Sequence, residues 1–169
     1  VPGVDVGSYA ITLIGAVNQG NYHVTFVPGT LTIKKNGGLT VSGTGYTGTY
    51  DANTHGTAAT ASVKEGTTVS YSTDGGKTWT DTYPTITNVG TVTVMVKAEN
   101  DNYETATASY TLTVNPAEVT VTADNKTKVY GETDPALTAK VAGVVDGTEI
   151  HYDLSRESGE NVGSYPIIP

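Results

Sequence analysis

The sequence predicts an all-β chain, or nearly so, made of small tandem modules of β-sandwich or β-grasp-like build with at most short helical turns. Three observations carry that expectation. Thr, Val and Gly are the commonest residues and Tyr is frequent, while Phe, Trp and Met occur once each; β-branched and aromatic residues suit a pleated, half-buried surface, whereas helices favour Ala, Leu, Glu and Lys. Apolar residues alternate with Thr and Ser in several runs, the period of a strand with one buried face. The chain also says one phrase three times: Asp5-Val6-Gly7-Ser8-Tyr9, Asn88-Val89-Gly90-Thr91 and Asn161-Val162-Gly163-Ser164-Tyr165. Self-similarity of this kind marks stacked or tandem modules.

The residues after the phrase repeat too. Asn21-Tyr22 precedes Thr30-Leu31-Thr32-Ile33, and Asn102-Tyr103 precedes Thr111-Leu112-Thr113-Val114, with equal spacing from Tyr to Thr (30 − 22 = 8 and 111 − 103 = 8). The repeats divide the chain into residues 1–35, the second half of one module; 36–115, a complete module expected to fold alone; and 116–169, the first half of another.

In order, the first segment reads as strands at Tyr9–Ile14, Tyr22–Phe26 and Thr30–Lys34, with turns at Asn18–Asn21 and Pro28-Gly29. Asn36-Gly37-Gly38 forms a short linker. In the middle module, Val69–Thr73, Asp74-Gly75-Gly76 and Lys77–Trp79 predict a tight hairpin, because Asp-Gly supplies the positive φ angles of a two-residue turn. Thr91–Lys97 places Val92, Val94 and Val96 on one face, and Tyr110, Leu112 and Val114 repeat the pattern. Asn115-Pro116 ends the module, since proline donates no ladder bond. Glu118–Ala123, Val141–Val145 and Ile150–Leu154 read as strands of the last segment, and Asp134-Pro135 as the cap and first position of a helical turn.

Charge excludes some functions. Nine Lys and Arg against 17 Asp and Glu leave a net charge of −8, which opposes binding to nucleic acid, where clustered cations must neutralise phosphate. It equally opposes docking on anionic lipid. No apolar run is long enough to insert in a membrane, and cysteine is absent, which rules out a disulfide scaffold.

Chemistry-bearing residues are few. Gly43-Thr44-Gly45-Tyr46-Thr47-Gly48 fits the dinucleotide pattern GxGxxG, but no βαβ unit surrounds it, so these are turn glycines. Glu99, Asp101 and Glu104 form an acidic corner that reads first as a solvated turn and otherwise as a weak Ca²⁺ site, without the ligand order of an EF-hand. His23, His55 and His151 lack metal-ligand spacing, and no GxSxG elbow exists. Trp79 and Tyr83 are the aromatic pair offered to sugar rings; the recurring tyrosines fit architecture better, filling small cores while bonding outward through their hydroxyls. Lys64, Lys97 and Lys140 on strands read first as guards of sheet edges and otherwise as candidates for isopeptide bonds.

Val129-Tyr130-Gly131-Glu132-Thr133-Asp134-Pro135-Ala136-Leu137, Gly143–Thr148 and Gly159–Tyr165 together resemble the MBG repeats (YGX type) of bacterial surface proteins. Residues 5–34 resemble the second half of the same repeat. The middle segment, with Gly48–Asp51, Tyr71–Gly75 and Asn102–Glu104, is similar to sister YDG-type or Ig-like surface repeats. The resemblance implies an extracellular, cell-surface setting and no catalytic residues. The expectation is a non-catalytic spacer, stalk or adhesin segment that needs no cofactor. Alternatives are a module binding a host or cell-wall glycan, or an accessory domain of a secreted glycosidase. Because residues 14–35 complete what 116–169 begin, strand exchange between these segments of neighbouring chains is expected as the mode of self-association.

Overall fold

A computed structural model describes residues 5–168; the first four residues of the 1–35 segment and the last of 116–169 lie outside the described residues. Among these there are 14 strands and no helix, so the chain is all-β. By contact density it forms two compact units. The first comprises the described residues up to Tyr46, His55–Thr85 and Thr91–Leu112, and the second Thr47–Thr54, Ile86–Gly90 and Thr113 onward.

In the first unit, β1 (Gly7–Ile11) pairs antiparallel with β4 (Gly29–Ile33) in the register Tyr9↔Leu31 and Ile11↔Gly29. Facing residues share a side of the ribbon, and alternate residues along a strand return to it. Tyr9, Ile11, Leu31 and Ile33 therefore form an apolar face, with Ser8, Ala10, Thr30 and Thr32 on the other. Between them β2 (Asn18–Gln19) and β3 (Tyr22–His23) make a small hairpin whose turn holds Gly20 at φ +61°. The strands predicted at Tyr9–Ile14 and Tyr22–Phe26 are both shorter than expected. Ile14 is 98% exposed, so nothing rewards extending the first.

The well-packed part of the chain lies between residues 39 and 114. β5 (Val41–Ser42) pairs with β7 (Thr60–Ala61), setting Val41 opposite Ala61, both buried. The largest sheet has the order β6 (Tyr46–Thr49), β10 (Ala106–Asn115), β9 (Gly90–Glu99), β8 (Thr68–Ser72). Alternation buries Val94, Val96 and Ala98 along β9, and Tyr110, Leu112 and Val114 along β10. The core tyrosines satisfy their hydroxyls outward: the Ala59 N–H donates to Tyr71 Oη (2.8 Å), and Tyr110 Oη donates to the Thr57 carbonyl (3.4 Å).

The loop after β8 corrects the predicted hairpin. Lys77–Trp79 is not a strand; Tyr71 and Thr80 exchange both backbone bonds (2.7 and 2.9 Å) around a wider loop. The Asp74 carboxylate organises that loop, accepting from the Lys77 and Thr78 N–H groups (2.9 and 3.0 Å), Thr78 Oγ1 (2.6 Å) and the buried Ser72 hydroxyl (2.7 Å). Four donors to one side chain outcompete a two-residue turn. These bonds, the Thr78 ones foremost, hold the Asp74 pKa far below the ordinary carboxylate value. The positive φ angles fall on Gly75 (+76°) and Gly76 (+86°). Gly75→Val is therefore expected to lower stability by about 1 kcal/mol or more, read as a drop in the denaturant midpoint. A Cβ there meets no neighbour within 4 Å, so the loss would be backbone strain alone.

In the second unit, β11 (Thr120–Ala123) pairs antiparallel with β12 (Ala139–Ala142), and β13 (Ser155–Arg156) with β14 (Ile167–Ile168). Ile150–Leu154, predicted as a strand, is irregular, and Val141–Val145 is regular only as far as Ala142. The helical turn at Asp134-Pro135 is absent because the Asp134 carboxylate, expected to cap it, is bound by cations instead.

Candidate functional site: the junctions between repeats

Two small constellations tie segments distant in sequence together. At the first, Asn36 lies alongside Tyr103 in a parallel bridge. Its N–H donates to the Asn102 carbonyl (3.0 Å), and its own carbonyl accepts from the Glu104 N–H (2.9 Å). The Asn36 side chain folds back to accept from the Gly38 N–H (2.8 Å). The linker residue is thus held on both backbone groups, which removes the freedom a Gly-containing joint would otherwise have.

Asn102 completes this junction. Its side-chain oxygen accepts the Val6 N–H (2.7 Å), and its side-chain nitrogen donates to the Asp5 carboxylate (2.8 Å). The Asn100 side-chain oxygen in turn accepts the Asn102 N–H (3.0 Å). One amide therefore grips the first two residues of the repeated phrase. An amide suits this place because it offers donor and acceptor on one rigid plane. Within the second unit, Tyr50 Oη donates to Asp146 Oδ2 (2.8 Å), and the Tyr50 N–H to the Asn115 carbonyl (2.8 Å). Asp146 also accepts from the Thr148 N–H (2.9 Å). Its pKa is lowered to about 2, by Thr148 first and then by Tyr50.

The phrase itself is a hydroxyl-closed loop. Tyr9 Oη donates to the Asp5 carbonyl and Tyr165 Oη to the Asn161 carbonyl, each at 2.9 Å. The middle copy has Val92 where the others have Tyr, and so cannot make this bond.

A charged latch holds the last segment. Lys128 Nζ donates to Asp134 Oδ1 (2.6 Å) and Glu160 Oε2 (2.7 Å), and Arg156 to Asp134 Oδ2 (2.7 Å) and Glu160 Oε1 (2.6 Å). Arg156 also donates to the Glu157 and Gly159 carbonyls and lies over the Tyr165 ring, 5.7 Å from its centre. Each cation meets both carboxylates, so the cluster is internally neutral and offers no free charge to a ligand. Arg156 first, then Lys128, lowers the Asp134 pKa to about 2. A carboxylate with a folded pKa below its ordinary 3.8 stabilises the fold above that value and loses this contribution as pH falls through the folded one. The last segment is expected to loosen between about pH 4 and pH 2, with the protection of its amides from exchange falling there; Asp134→Asn should weaken the pH dependence in that window without abolishing it, because Asp146 and Glu160 are also held below their ordinary values.

The residues singled out from sequence are held in separate local contacts. The Trp79 Nε1–H donates to the Gly76 carbonyl (3.0 Å), and Lys97 Nζ lies over its half-buried ring, 4.7 Å from the centre. Tyr83 is exposed. Glu99 pairs with Lys97 (2.9 Å), and among the described residues no three His, Asp or Glu converge as metal ligands. The acidic corner of Glu99, Asp101 and Glu104 is therefore not a preformed Ca²⁺ cage. His23 contacts Asn18 (3.1 Å), and His55 stacks on Tyr46 at 3.8 Å. Lys64 and Lys140 are exposed, not set in the apolar surroundings an isopeptide bond needs. Gly43 abuts the Tyr110 ring and Gly45 lies against the Thr111 carbonyl (2.8 Å from a Cβ built there); both serve close packing.

The described residues thus form an all-β protein, with its side-chain chemistry engaged in loops and in ties between distant segments. Residues 1–32 and 119–169 match the family model of the MBG domain (YGX type). These two segments belong to that family, which is found in bacterial surface and secreted proteins. No curated protein and no solved structure matched the chain.

Proposed function

We propose that this chain is a non-catalytic spacer or stalk segment of a bacterial cell-surface or secreted protein, holding repeats in fixed succession. The observation that carries this reading is the clamp on Asn36 and Asn102: both backbone groups of the linker residue and both ends of one amide are engaged across a repeat junction. A stalk needs joints that do not bend freely, because a flexible tether shortens its own reach. The net charge of −8 suits a solvated exterior, and no helix among the described residues is long and apolar enough to cross a membrane.

Nuclear spin relaxation tests the joint. Amides of residues 5–34 and 39–114 are expected to share one tumbling time. Asn102→Ala should separate the two times and cost about 1–3 kcal/mol, since the Val6 N–H and the Asp5 carboxylate lose their partner together. Two tumbling times in the unaltered protein would sink the stalk reading. A glycan array then separates spacer from adhesin: the spacer binds none of the sugars.

A further inference from the structure

One dipeptide of the linker carries chemistry that the fold leaves open to water. Among the asparagines of the chain, only Asn36 precedes a glycine. Glycine leaves its backbone nitrogen unshielded, because no Cβ stands beside it. Both residues are exposed, and a Cβ built on Gly37 meets no atom within 4 Å. Every other asparagine precedes a residue with a side chain. After Asn115 that residue is proline, which has no N–H to lose.

The joint also prepares the electrophile. The Asn36 N–H and carbonyl are pinned to Asn102 and Glu104 (3.0 and 2.9 Å), so the residue holds its place. Its side chain is turned onto the chain that follows, with Oδ1 accepting the Gly38 N–H at 2.8 Å. Negative charge develops on that oxygen when a nucleophile adds to Cγ, and a backbone N–H aimed at it stabilises the charge. Amide and nucleophile are neighbours in one chain, which makes the step unimolecular. Asp74-Gly75 and Asp146-Gly147 share the glycine but not the electrophile. The donors around those two carboxylates hold them ionised, and an ionised carboxylate resists attack by an amide nitrogen.

We infer that Asn36-Gly37 is a self-modification site, at which the linker residue of the folded protein converts to aspartate and isoaspartate without an enzyme. Gly37 N gives its proton to water and bonds to Asn36 Cγ. The Cγ–Nδ2 bond breaks, and Nδ2 takes up a proton and leaves as ammonia. Water then opens the resulting cyclic imide. Addition at Cγ breaks the new bond and leaves aspartate. Addition at the main-chain carbonyl carbon of residue 36 breaks the original peptide bond and leaves isoaspartate. One water is consumed, one ammonia is released, and nothing is oxidised or reduced. In the second product the linker gains one main-chain carbon, and the carbonyl that accepts the Glu104 N–H becomes a carboxylate. The conversion depends on this geometry alone and not on the stalk reading.

Ageing the intact protein in neutral buffer tests this, read by peptide mass mapping with fragmentation that separates aspartate from isoaspartate. Residue 36 is expected to gain the mass difference between water and ammonia before any other asparagine does, with isoaspartate among the products. Gly37→Ala keeps the fold, since its Cβ has open space, and should slow the conversion several-fold. Retention of the amide at residue 36 in the folded chain, while a peptide of residues 34–40 converts in the same buffer, would overturn the inference. So would an unchanged rate in Gly37→Ala, which would mean that Gly37 N is not the nucleophile.

Discussion

Replacing Leu112 with alanine is expected to cost about 2–5 kcal/mol, the range for truncating a fully buried leucine whose surroundings close only partly over the cavity. Leu112 has no exposed surface, and Val94 and Val96 are equally sealed. For a module of this size, each kcal/mol shifts the melting temperature by roughly 4–8 °C, so the loss should be plain in a thermal scan. The informative control is Leu31→Ala. Leu31 occupies the matching place in the repeated Thr-Leu-Thr run, yet it is 39% exposed. In dilute monomer that variant should lose well under half of what Leu112→Ala loses. Equal losses at the two positions would contradict the burial difference between the flanking and middle repeats.

Gly43→Ala is the second large effect. A Cβ at Gly43 falls inside contact distance of the Tyr110 ring edge, and that ring is buried, with its hydroxyl tethered to Thr57. Forcing a methyl group into a packed position of this kind costs typically 1–3 kcal/mol. Gly37→Ala supplies the comparison, since no atom lies within 4 Å of a Cβ there; its midpoint should stay near that of the unaltered protein. If Gly43→Ala melts with the unaltered protein, the close approach of residue 43 to Tyr110 is absent in solution.

Where alternation is long, it specifies the fold. β9 and β10 bury every second residue from Val94 to Ala98 and from Tyr110 to Val114, and that periodicity is readable because one face meets a core and the other meets water. Where alternation is short, the strands are shorter than expected or do not form. Ile150–Leu154 and the far end of Val141–Val145 have the composition of strands but no neighbouring edge among the described residues, and strand propensity is realised by pairing. The hairpin expected at Asp74-Gly75 rests on turn statistics, which do not register an aspartate able to collect four donors.

The junctions are partly legible. Asn102-Tyr103 stands out as a repeated pair, but its spacing carries no sign that an amide would reach back 96 residues to Val6. The latch is harder still. Lys128 and Glu160 are 32 residues apart, and charges at that distance become neighbours only through the sheet pairings around them. Asp134 and Glu160 do fall within the stretches that carry the family resemblance, which gives those stretches a physical content: they hold the repeat's own ion-pair cluster.

The hydroxyl-closed loop has a consequence at the level of the gene. Asp5–Tyr9 and Asn161–Tyr165 close in the same way, and they lie 161 − 5 = 156 residues apart. A recombination event between their coding stretches would join Lys128, Asp134, Arg156 and Glu160 upstream to β1 and β4 downstream, with the strand after the loop keeping a neighbour on either edge. The product would be one whole repeat, shorter by that length and broken nowhere in its sheet. Coding regions built this way should vary in length in whole-repeat steps, with crossover points inside the phrase.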